Sequence, residues 1–160
     1  IERFEPNGKY GPRQFYYNDS LLDNLLSNKF KEIIENFKYV SPKSYLPIIS
    51  FQVLESLETS KCKKIGDPNG YCAVWCVWWA YHKIKYSEIK SKNLVKLLIE
   101  KIKMSKINFK NLIRNFSFKI TSIRDDFLKK YDVDINNWMN NNYENDLLEN
   151  IEKDVLEFIR

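Results

Sequence analysis

The sequence predicts an α+β fold: a short central sheet packed on a buried central helix, followed by an all-helical C-terminal half. Three observations predict it. The turn signal Asp67-Pro68-Asn69-Gly70 runs into eleven uncharged residues, Tyr71 to Tyr81, the most apolar window of the chain. Ile48 to Leu54, rich in branched and aromatic side chains, lies between Pro47 and a polar loop from Glu55 to Lys64 and reads as a buried strand. From Ser87 onward every apolar pattern is helical.

The central helix is justified by length and punctuation. The run continues for about four turns without Gly or Pro, then becomes amphipathic at His82, Lys83 and Lys85. Before it, Ile1 to Phe4 reads as the end of a strand, and the turn signals Glu5-Pro6-Asn7-Gly8 and Gly11-Pro12 follow. Opening in mid-strand, the sequence reads as the C-terminal portion of something longer. Asn18-Asp19-Ser20 offers N-cap residues, and Leu21, Leu22, Leu25, Leu26, Phe30, Ile33, Ile34 and Phe37 recur at helical spacing, which predicts a helix over 20–37 with that stripe buried. Further stripes run through Leu94 to Ile102, Phe109 to Phe127 and Leu147 to Ile159, with a break in the Asn-rich stretch 134–142. No repeat of solenoid length is visible. The expected organisation is a core over 1–86 with a helical extension over 87–160 packed on it as one compact unit.

Composition narrows the function classes. At 160 residues with 44% hydrophobic and 15% aromatic content, the chain has the means to bury a proper core. No apolar run has the eighteen or so residues of a membrane span, and the first ten residues are too charged for a signal peptide. Three cysteines without such a signal indicate thiols in a reducing compartment, hence a cytoplasmic location. Cys62, Cys72, Cys76 and His82 lack the paired spacing of a structural zinc site, so no metal and no cofactor is expected. Residues 83–130 hold fourteen Lys or Arg against four acids, and 131–160 hold eight acids against two bases. Those lysines spread around amphipathic helices without a nucleic-acid motif, so they read as a solvated face, and the expected partner is a protein.

One residue points to chemistry. Cys72 would sit just inside the N-terminus of the central helix, where free N–H groups and the macrodipole favour a thiolate. The competing reading is plain core, because free cysteine is commonly buried. Around Cys72, Gln52 could aim an amide at an oxyanion and Glu5 could orient a base. The single histidine cannot be that base, since ten residues of helix separate His82 from Cys72 by about 15 Å.

The stretches IERFEPNG, SFQVLES and DPNGYCAVWCVWWA resemble the second part of a papain-like cysteine protease of the adenain and SUMO-protease type. Similar RFEP and DPxGYC stretches resemble those of uncharacterised proteins from large DNA viruses. The resemblance covers Ile1 to about Tyr86 and implies a thiol hydrolase: Cys72 as nucleophile, Gln52 at the oxyanion, Glu5 as the acid, and a histidine on a strand upstream of Ile1. Its substrate would be a ubiquitin-like conjugate or a viral precursor, in the host cytoplasm or the virion. The turn before Cys72 departs from the Asp-Cys-Gly most common in SUMO proteases. The alternative is a catalytically inactive structural or protein-binding relative, such as a virion component, using the helical half for contacts.

Overall fold

The structure is a computed structural model that describes residues 1–10, 19–58, 71–105, 107–140 and 143–159, with side chains through 157. The described residues form α1 (Asp19–Ile33), a 3₁₀ turn (Pro42–Ser44), α2 (Phe51–Glu58), α3 (Cys72–Lys85), α4 (Ser91–Met104), α5 (Phe109–Lys130), α6 (Ile135–Met139) and α7 (Asn145–Ile159). Among them there is no strand. This corrects the α+β expectation: the described fold is helical.

The expected sheet fails at both of its strands. Ile1 to Phe4 contributes one isolated parallel bridge, Glu2 to Val40, with Arg3 N–H donating to Val40 O at 3.1 Å and Val40 N–H to Ile1 O at 2.9 Å. Ile48 to Leu54 is not a strand either. Ile48 and Ile49 are exposed, and from Phe51 the chain winds into α2, which buries Phe51 and Glu55 one turn apart. A short apolar run fits either period, and without a partner strand to pair its backbone the helix, which satisfies its own N–H and C=O groups, is the stable solution.

The turn expected at Glu5 to Gly8 is present and docks on the start of α2. Gly8 N–H donates to Glu5 O at 3.0 Å, while Ser50 N–H donates to Asn7 O at 3.3 Å and Gln52 N–H to Pro6 O at 3.0 Å. Those carbonyls satisfy donors that a helix N-terminus leaves free. Gly8 has φ +126°, and a Cβ there would lie 2.4 Å from Ile48 O, so no other residue fits without moving backbone.

The chain divides into two compact units, Ile1–Arg114 and Asn115–Arg160. In the first, α3 is the centre. Trp75, Trp78 and Trp79 are buried at i, i+3 and i+4, a spacing that puts all three on one face. Phe51 stacks on Trp75 at 5.4 Å between ring centres and meets Trp78 edge-on at 5.1 Å; Phe4 and Tyr45 stack on Trp79 at 5.1 and 5.9 Å. Leu94, Val95, Leu98 and Ile102 of α4 are buried, as are Phe109 and Ile113 at the start of α5. Two of the three buried indole nitrogens bond a carboxylate: Trp75 Nε1 donates to Glu55 Oε2 at 3.0 Å and Trp79 Nε1 to Glu2 Oε1 at 3.2 Å. Burial pushes the Glu55 carboxyl up, against the Trp75 hydrogen bond and the charges of Lys110 and Arg114.

In the second unit, the later part of α5 is joined to α7 through Tyr131, whose hydroxyl donates to Asn150 O at 3.1 Å and to Asp154 Oδ2 at 2.7 Å, while Lys130 pairs with the same carboxylate. Asp134 caps α6 through Asn136 N–H at 2.8 Å. Trp138 stacks on Tyr143 at 4.8 Å.

Candidate functional site

Cys72 is the first residue of α3 and is exposed. Cys76, one turn further, is exposed too, and its thiol is pushed up first by the protein packed around it, then by Glu5 and Cys72. Glu5 therefore lies on the α3 side of its turn, but its carboxylate is engaged locally: Oε1 accepts from Asn7 N–H at 3.1 Å and from Asn7 Nδ2 at 2.9 Å. Gln52 stands in the first turn of α2, not on a strand, and its Oε1 is buried with no hydrogen-bond partner among the described residues. Cys62 and the turn 66–70 lie outside the described residues, as do the turn at 11–12 and Asn18. Among the described residues no three His, Cys, Asp or Glu side chains form a group that could hold a metal ion.

His82 lies in the last turns of α3. Its Nδ1 is 2.9 Å from Trp78 O and its ring centre 4.1 Å from that of Trp78. Burial lowers its pKa, opposed by the Trp78 carbonyl. It serves the tryptophan cluster, not Cys72.

A second arrangement was not foreseen. Much of the apolar stripe of α1 is uncovered: Leu21 is 66% exposed, Leu25 56% and Ile33 76%, with Leu22 and, just past the helix, Ile34 also exposed; Leu26 and Phe30 are half-buried, and Asp19 is the one residue of this helix that is buried. The helix is held through its other side. Arg3 bonds Asp19 and lies 3.3 Å from Asp23 through Nε, and Tyr39 OH donates to Asp23 at 2.9 Å. Burial, together with the Asp23 hydrogen bond and charge, pushes the Tyr39 phenol up to about 12. The local signal for this was Asp19 and Asp23 at i and i+4, one helical face. Outer α3 repeats the theme, with Val77, Tyr81 and Ile84 exposed at i, i+4 and i+7.

The chain is similar to a putative ankyrin repeat protein of Acanthamoeba polyphaga mimivirus. The two are 40% identical over 166 residues, covering 99% of this chain and 21% of the relative. The chain thus spans about a fifth of the curated relative it matches. No family model matches the chain, and no solved structure matches it. The Thr-Pro-Leu-His signature of the ankyrin repeat is absent from this sequence, whose single histidine follows Tyr81.

This likeness and the helical fold overturn the papain-like resemblance. A protease of that type needs a sheet to carry its acid and its glutamine, and the described residues have none. The thiol-hydrolase assignment falls with it. No described helix is long and apolar enough to cross a membrane.

Proposed function

We propose that the chain is a non-catalytic protein-binding module, its contact surface formed by the uncovered apolar face of α1. The observation that carries this is the arrangement of α1: a helix with regular apolar spacing that bonds the fold through Asp19 and Asp23 and leaves Leu21, Leu25 and Ile33 exposed. Contiguous exposed apolar surface of this kind marks interaction sites, and i, i+4 anchors are how a helix face meets a partner. The printed name of the mimivirus relative supports the reading, since ankyrin repeats are stacked helix pairs that present extended binding surfaces. Its viral source supports a role in the host cytoplasm or the virion.

The test is site-specific photocrosslinking in the cells that naturally make the protein, with a benzophenone side chain at Leu25 or, as a polar control, at the exposed Lys92. The expected result is one discrete adduct from position 25 that disappears when Leu21→Glu is added. Equal labelling from positions 25 and 92 would overturn the proposal.

A further inference from the structure

The polar face of α1 borders a cleft of its own. Ser20, Asn24, Ser27 and Lys31 recur at i, i+4, i+7 and i+11, a single stripe on the side of the helix away from Leu21 and Leu25. With Phe37 to Ser41, Lys43 and Ser44 they line a cleft of about 650 Å³, within the range of small-ligand sites.

Its charges are unevenly matched. The carboxylate lining the cleft, Asp23, is already compensated by Arg3 Nε at 3.3 Å and by the Tyr39 hydroxyl, and Asp19 beside it by Arg3 and by Lys43 Nζ at 3.6 Å. Lys31 and Lys38 have no ion-pair partner among the described residues. Lys43 Nζ also donates to Ser20 Oγ at 2.6 Å, and a hydroxyl that accepts keeps its own proton to donate elsewhere. Uncompensated ammonium groups therefore share one cleft with serine hydroxyls, and Phe37 and Val40 give it an apolar wall.

We infer that this cleft binds a phosphate monoester, with Lys31 and Lys38 around the dianion, the Ser20 and Ser27 hydroxyls donating to its oxygens, and Phe37 and Val40 against the group that bears it. A carboxylate offers one charge and two oxygens; a phosphate monoester offers about two charges at neutral pH and three acceptor oxygens, which matches these lysines and hydroxyls better. The inference is independent of the binding role of the apolar face, because it uses a different stripe of α1.

The test is NMR titration of the whole chain with inorganic phosphate, glucose 6-phosphate and the peptide Ala-Ala-phosphoserine-Ala. Expected are saturable shifts confined to Ser20, Ser27 and residues 37–44, with at least one ester binding more tightly than inorganic phosphate. Tighter binding of the peptide identifies a phosphoprotein as the source, and tighter binding of the sugar phosphate a small molecule; both support the site. Lys31→Gln combined with Lys38→Gln should weaken binding about tenfold or more, and Ser27→Ala less. Leu25→Glu should leave the titration unchanged, which separates this inference from the apolar-face reading. Absence of localised shifts with all three ligands, or an unchanged affinity in the double lysine variant, would overturn it.

Discussion

Helices α1 and α3 carry apolar residues at the same spacings and meet opposite fates. In α3 the stripe Trp75, Trp78, Trp79 is buried against Phe4, Tyr45 and Phe51. In α1 the stripe Leu21, Leu25, Ile33 is exposed, and the polar side makes the contacts through Arg3, Asp23 and Tyr39. Periodicity tells which residues share a face; it does not tell whether that face has a neighbour. The difference lies in what the rest of the chain supplies. Aromatic rings from three other segments converge on α3, whereas α1 is met by an arginine and a tyrosine hydroxyl that bond its carboxylates.

The comparison breaks or holds first at Trp75. Truncation to alanine removes the ring stacked on Phe51 and leaves Glu55 without its indole donor, so Trp75→Ala should cost about 3–5 kcal/mol in denaturant unfolding or abolish the cooperative transition. A loss below about 1 kcal/mol would mean that α3 is not the core. Gly8→Ala comes next. Its left-handed φ and the Ile48 carbonyl predict about 1–3 kcal/mol, as the turn must shift off the start of α2.

The pH dependence is subtler. Burial holds His82 below the ordinary imidazole value, so the folded state takes up its proton less readily than the unfolded chain. Its stabilising contribution is present above about pH 6.5 and is lost as pH falls through the lower folded value. Glu55 runs the other way: raised by burial, it contributes below the unfolded value of about 4.3 and loses that contribution as pH rises through its folded value. His82→Gln should therefore flatten the fall in stability from pH 7 toward pH 5, measured as unfolding midpoints. A curve identical to that of the parent would show that His82 does not sense the tryptophan cluster. For α1, Leu25→Glu should change stability by no more than about 0.5 kcal/mol, because the side chain is in water before and after. A penalty approaching that of Trp75→Ala would show the stripe to be covered, and would remove the contrast on which the proposed binding face rests.

Much of α3 was legible in the sequence. An uncharged run of eleven residues without Gly or Pro has few alternatives, and its end at the His82 to Lys85 turn is a polar boundary. The Glu5 to Gly8 turn was legible for the same local reasons. The stretch 48–54 was not, because seven residues, five of them apolar, support either period and the choice depends on whether a partner strand exists. The order Glu5, Gln52, Cys72 suggested a protease, yet order along a chain does not determine what surrounds each group. Glu5 is taken up by Asn7, and Gln52 starts a helix. The Arg3, Asp19, Asp23 and Tyr39 network spans segments far apart in sequence, and beyond the i, i+4 spacing of Asp19 and Asp23 no local pattern marks it.

The smallest expected effect belongs to Cys72. The residue is exposed at the first position of α3, so Cys72→Ser removes little packing and should alter stability by no more than about 0.5 kcal/mol. Its trace should appear one turn away. Cys76 is pushed up by burial, by Glu5 and by Cys72, so removing the neighbouring thiol relieves one of those influences and should move the alkylation midpoint of Cys76 to lower pH. Iodoacetamide labelling across pH, resolved by mass spectrometry, measures this directly. Glu5→Gln should move the midpoint further in the same direction, Glu5 being the stronger of the two charges on that thiol. If neither substitution moves it, then Glu5, Cys72 and Cys76 do not share one surface, and the approach of the Glu5 turn to the N-terminal end of α3 would have to be redrawn.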